Sequence, residues 1–192
     1  MPLVMVHGSL DGDRSMGTGI IICGLNGAGK STLGQALAKE LGFCFIDIED
    51  LYFPKRDSDY LYASPCARKE VEALLESEIH AHEDFVFASV HGDYGESICL
   101  YFRYAVLISL PKNVRMERIR NRSFQKFGDR MLPGGDLYEQ EQKFFDFACS
   151  RAENSVEEWA ASLSCPVIRV DGTKSAAENI KSIIAQIHSE EN

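Results

Sequence analysis

Ile20-Ile21-Ile22-Cys23-Gly24-Leu25-Asn26-Gly27-Ala28-Gly29-Lys30-Ser31-Thr32-Leu33 opens on four consecutive apolar residues, three of them β-branched. Such a run, apolar at every position, is the pattern of a parallel strand covered on both faces. Gly24 to Ser31 then satisfies G-x-x-x-x-G-K-[ST] in full. Leu33, Leu37 and Leu41 recur every four residues, and Gly42 stands where a left-handed residue ends a helix. Strand, glycine loop and helix in that order allow backbone N–H groups to wrap a phosphate at a helix N-terminus. Gly24, Asn26, Gly27, Ala28 and Gly29 are read as the cradle. Lys30 is read as a mobile cation for β- and γ-phosphates, Ser31 as a Mg²⁺ ligand and Thr32 as an α-phosphate contact.

Working outward, Phe43 to Ile48, Phe85 to Val90, Tyr104 to Leu110 and Val167 to Val170 are four further short strands. Ser64-Pro65 reads as a helix start, with Val71, Leu74, Leu75 and Ile79 forming the apolar face of a helix over about 65–81. A basic helix is expected over about 112–123, a glycine-rich loop from Phe127 to Asp136, and one long helix over about 138–163. The alternation predicts an α/β doubly wound fold, with about five parallel strands and helices on both faces. Residues 1–18 read as a loosely ordered, dispensable leader to a single domain over 19–192.

Composition narrows the partners. The chain has 192 residues, 45% of them hydrophobic, and a formal net charge of -9. That charge argues against a general affinity for nucleic acid or anionic membranes. No apolar run is long enough to span a bilayer and no secretory pattern opens the chain, so a cytoplasmic protein is expected. Cys23, Cys44, Cys66, Cys99, Cys149 and Cys165 are widely spaced, which favours reduced thiols over a metal or redox pair. Against the acidic background, Lys112, Arg115, Arg118, Arg120, Arg122, Lys126 and Arg130 face only Glu117 and Asp129, a basic island suited to a small polyanion. Neither an Asn-Lys-x-Asp guanine reader nor an Asp-x-x-Gly switch is suitably placed, which favours ATP.

In these features the chain resembles the nucleoside-monophosphate-kinase and shikimate-kinase-like branch of P-loop kinases, from about Gly19 to its C-terminus. The resemblance rests on the loop, on Phe45-Ile46-Asp47-Ile48-Glu49, on the arginines after Leu110-Pro111, and on Val170-Asp171-Gly172-Thr173. It implies a three-layer P-loop NTPase fold with a small lid near 118–136. It also implies ATP- and Mg²⁺-dependent phosphoryl transfer to a small-molecule acceptor, nucleotide-like or a hydroxylated metabolite. Arg118, Arg122 and Arg130 are then the catalytic lid arginines, with Arg115, Arg120 and Arg151 as further candidates. Asp47 is the first choice for a catalytic acid, in a segment where the family's Asp-x-Asp reads Asp47-Ile48-Glu49. Gly172 would lie along the adenine. Asp93, in His91-Gly92-Asp93, is a candidate Mg²⁺ partner or base. Tyr52 to Arg56, with Tyr60 and Tyr62, occupies the acceptor-recognition region. A regulatory P-loop ATPase with no small-molecule acceptor is the alternative, and acceptor identity and oligomeric state stay open.

Overall fold

Ile20, Ile21 and Ile22 are fully buried, and their side chains alternate between two separate cores. A central strand with apolar residues at every position requires exactly such double coverage, hence two layers of helices around one sheet. The computed structural model describes residues 17–54, 60, 62–95 and 97–190. The expected leader therefore lies almost wholly outside the described residues, as do Lys55 and Arg56.

Five parallel strands form the sheet: β1 (Gly19–Cys23), β2 (Cys44–Asp47), β3 (Phe85–Ala88), β4 (Phe102–Ser109) and β5 (Val167–Asp171), in the order β2-β3-β1-β4-β5. One face is covered by α1 (Lys30–Leu41) and α7 (Ala176–Glu190), through Leu33, Leu37, Ile183 and Ile187. The other is covered by α3 (Arg68–Ala81) and α6 (Ser155–Ala161), through Val71, Leu75, Val156 and Ala160. β3 lies between β1 and β2, so β1 is flanked by β3 and β4. The loop after β1 thus leaves the carboxyl edge of the sheet near its middle, where an open α/β sheet forms its ligand crevice. A short α2 (Ile48–Tyr52) follows β2 directly, with the Asp47 side chain accepting from Glu49 N at 2.9 Å as its N-cap.

Four expectations need correction. The third helix begins at Arg68, not near Pro65, because Cys66 N donates to Tyr52 O and holds the preceding chain extended, while Glu70 accepts from Ala67 N. Leu74 is 41% exposed and lies off the buried face. The basic helix α4 runs the full length Lys112–Phe127, and Gly128–Met131 continues as a 3₁₀ turn rather than an open loop. Phe127, Met131 and Leu137 are its buried anchors, packed with Phe145 and Ala148. The long helix is two helices, α5 (Tyr138–Ser150) and α6, because Arg151-Ala152-Glu153-Asn154 turns the chain.

The turn between α5 and α6 is fixed by Arg115, only 2% exposed, whose Nη2 donates to both carboxylate oxygens of Glu153 at 2.8 and 2.9 Å. Its Nε and Nη1 donate to Leu110 O and Asn26 O. One guanidinium therefore ties the glycine loop, the end of β4 and the α5–α6 turn. Glu153 is about half exposed, so the pair is not sealed from water. Arg115→Ala is expected to cost about 2–4 kcal/mol in urea denaturation, from lost packing and two orphaned carbonyls. A loss below about 0.5 kcal/mol would reduce the contact to an ordinary surface bridge.

Candidate active site

Glycine is required in the loop by both conformation and space. Gly27 has φ 81, and a Cβ there would lie 2.5 Å from Arg115 O. Gly29 has φ 99 and caps α1. The backbone can therefore fold back on itself only without side chains. Asn26 to Leu33 forms one wall of a cavity of about 480 Å³, completed by Asp47, Ile48 and Glu49, by Arg118 and Arg122 of α4, and by Gly172, Lys174 and Asn179 around the start of α7. The α1 N-terminus opens into this cavity, which favours negative charge there.

Lys30 Nζ donates to Leu25 O at 3.3 Å. Burial pulls its pKa down to about 8, partly offset by the negative charges of Glu49 and Asp47 and reinforced by Arg122 and Arg151. Burial moves Asp47 the other way, above the usual carboxylate range, against the lowering effect of its hydrogen bonds with Ser31 and Glu49 N. Lysine, hydroxyl and carboxylate therefore meet in one partly desolvated place. Arg122 Nη1 lies 3.7 Å from Glu49 Oε1, bridging α4 and α2, and Arg118 Nη2 donates to Gly172 O at 3.1 Å.

Of the residues singled out by sequence, Asn26, Gly27, Ala28, Gly29, Lys30, Ser31, Thr32, Asp47, Arg118, Arg122 and Gly172 line this cavity. Gly24, Asp93 and Arg130 do not. Gly24 turns off the end of β1, its N–H donating to Val90 O. Asp93 is drawn toward α6, accepting from Trp159 Nε1 at 2.7 Å and lying 3.4 Å from His91 Nδ1. Arg130 is engaged by Asp136 at 2.6 Å on the outer side of the 3₁₀ turn. Arg151 lies close enough for its charge to act on Lys30, and its buried Nε has no hydrogen-bond partner among the described residues.

Sequence reading overlooked Asn179 and Lys174. Asn179 is buried, donates to Asp171 O at 2.9 Å and lines the cavity. Its signal was present, since it precedes Ile183 and Ile187 at four-residue steps on the apolar face of α7, where an amide has a reason other than burial.

A model of the AAA domain family matches residues 20–131, more than half of the chain. The chain belongs to that family. This AAA domain protein is also 30% identical over 178 residues to the uncharacterized protein YqaC of Bacillus subtilis (strain 168), covering 88% of this chain and 97% of that one. Among solved structures it is similar to the shikimate kinase from Acinetobacter baumannii in complex with shikimate, with TM-score 0.55 and 17% identity over 91% of this chain and 94% of that one. It is likewise similar to a gluconokinase from Sinorhizobium meliloti 1021, with TM-score 0.53 and 17% identity over 88% and 91% of the two chains. These likenesses establish the P-loop NTPase fold of the AAA domain protein. No helix among its described residues is long and apolar enough to cross a membrane.

Proposed function

We propose that this protein is an ATP-dependent phosphotransferase acting on a small-molecule acceptor. The observation that carries the reading is the shared cavity: the phosphate loop, an N-capping Asp47 with raised proton affinity, and two arginines of α4 face one volume of about 480 Å³. The fold it shares with a gluconokinase and a shikimate kinase supports the same reading.

The site fits a magnesium nucleotide. The α1 N-terminus opens into the cavity beside the loop, and the Ser31 hydroxyl with the Glu49 carboxylate offers hard oxygen donors there. Those residues would hold Mg²⁺, which when bound supplies Lewis-acid neutralisation of phosphate oxygens. Lys30 binds the β- and γ-phosphates, and Arg118 and Arg122 offset the charge that develops as the terminal phosphoryl group leaves. Asp47 orients an acceptor hydroxyl and takes its proton, a role that its raised proton affinity suits. Arg151, whose buried Nε has no hydrogen-bond partner among the described residues, offers a donor to an anionic group on the acceptor.

Turnover of ATP measured with a panel of hydroxylated metabolites and nucleoside monophosphates tests the proposal. Strong stimulation by one of them, with a phosphorylated product, is expected. Acceptor-independent hydrolysis across the panel would favour a switch-type ATPase.

The lowered pKa of Lys30 has a sign that can be checked in binding. Below about 8 the lysine is charged and binds phosphate; above it the free protein increasingly holds a neutral amine. Binding that needs the cation should weaken about tenfold between pH 7 and pH 9. Calorimetric titration with a non-hydrolysable ATP analogue reads this directly, and an affinity constant across that interval would contradict it.

A further inference from the structure

At the opposite end of β2 from Asp47, three side chains of different donor type converge. Cys44 is the first residue of β2, and Glu78 and His82 stand four residues apart where α3 ends. The Cys44 sulfur, a Glu78 carboxylate oxygen and a His82 ring nitrogen all lie within 4.8 Å of one another. His82 Nε2 is 3.7 Å from Glu78 Oε2. A tetrahedral zinc ion, with bonds of about 2.0–2.3 Å, spaces its ligand atoms roughly 3.3–3.8 Å apart. The histidine–glutamate pair already has that spacing, and the sulfur lies within 4.8 Å of both partners.

We propose that Cys44, Glu78 and His82 form a zinc site, with water as the fourth ligand. The donor set decides the ion. A thiolate and an imidazole select against Mg²⁺ and Ca²⁺, while one sulfur, one nitrogen and one oxygen suit four-coordinate Zn²⁺. Local backbone structure holds the donors in place. Cys44 N donates to Asp84 O at 3.1 Å, tying the strand start to the chain just beyond His82, and His82 N donates to Ile79 O as the helix cap. The partial negative charge of a helix C-terminus adds to the attraction for a cation. Uptake replaces the thiol proton, which passes to solvent, so the site carries a thiolate only when the ion is bound.

The site lies outside the phosphate cavity, about 10 Å along β2 from Asp47 at strand rise. β2 is an edge strand of four residues whose only sheet partner among the described residues is β3. An ion joining Cys44 to α3 therefore clamps the least supported strand of the sheet, the strand that positions Asp47.

Cobalt(II) titration of the intact, nucleotide-free protein tests the proposal, because a sulfur-to-cobalt charge-transfer band reports thiolate ligation independently of activity. One equivalent of cobalt should generate the band, one equivalent of zinc should erase it, and zinc should raise the melting temperature. Cys149→Ser, which removes an exposed thiol elsewhere, should behave as wild type. Cys44→Ser and His82→Ala should each lose the band, the zinc-dependent rise in melting temperature, and more than about tenfold in zinc affinity, since even an outer-shell partner is worth that much. His82 is about half exposed, so its alanine variant is expected to fold even where the Cys44 variant does not. No band in the wild type, or a band that persists in either variant, overturns the proposal.

Discussion

Lys30→Ala is expected to yield a folded protein whose phosphoryl transfer is slower by at least about a thousandfold. The lysine supplies the only full positive charge carried by the phosphate loop itself, and removing one such preorganised donor to developing phosphoryl charge typically costs factors of that size or more. The fold should not suffer. The pKa of Lys30 is lowered to about 8 by burial, so the folded state holds the charged form at a cost that the unfolded chain does not bear. The sign follows from proton counting: between about 8 and the ordinary 10.5 the unfolded chain binds more protons, so wild-type stability rises with pH across that window. Lys30→Ala removes this rise, and near neutral pH it should be as stable as the wild type or slightly more so. Turnover together with urea denaturation at pH 7 and pH 9.5 tests both halves. A variant transferring phosphate within tenfold of wild type would overturn the role of the loop, and one that is unfolded would overturn the energetic argument.

The parts of the molecule legible in the sequence are those whose physics is local. The Ile20–Ile22 run, the loop glycines and the Leu33–Leu37–Leu41 spacing each specify their own backbone, and the strand, loop and helix stand where that reading puts them. What escaped depends on long-range pairing. The break near residue 151 has only a short local signal, Asn154 and Ser155 at the start of α6, and Arg115, 38 positions from Glu153 in sequence, adds the long-range grip that holds the turn. Arg115 and Arg118 look alike on a helical spacing, yet one is buried in structure and the other faces the cavity, a difference set by how α4 rolls against the loop. Asp93 lies five residues beyond the end of β3, near the carboxyl edge of the sheet where a metal-binding acid could serve, but Trp159 from α6 holds it, a contact made across 66 positions. Asp47 was legible for a mixed reason: an acid at a strand end carries the chemistry, while the α2 helix it caps was not anticipated.

That double duty makes Asp47 the sharpest test of the acceptor side. Asp47→Asn should lower the rate of transfer by about 10²–10⁴, the usual worth of a positioned general base, while the protein stays as stable as wild type or becomes slightly more so. Stability is kept because asparagine caps a helix as well as aspartate does, so the bond from Glu49 N at 2.9 Å survives. A slight gain is expected because burial raises the Asp47 pKa above the ordinary carboxylate value. The folded state then binds more protons than the unfolded chain over the interval between the two values, so stability falls as pH rises through it. Above that interval the full cost of the buried charge is present, and the amide removes it. Asp47→Ala separates the two duties: it should lose the same activity and, in addition, about 1 kcal/mol of stability with the cap. Thermal melts and acceptor-stimulated turnover of both variants at pH 7 check the set. If Asp47→Asn transfers phosphate at close to the wild-type rate, Asp47 is a helix cap alone, and the base must be sought in Glu49, the other carboxylate that lines the cavity among the described residues.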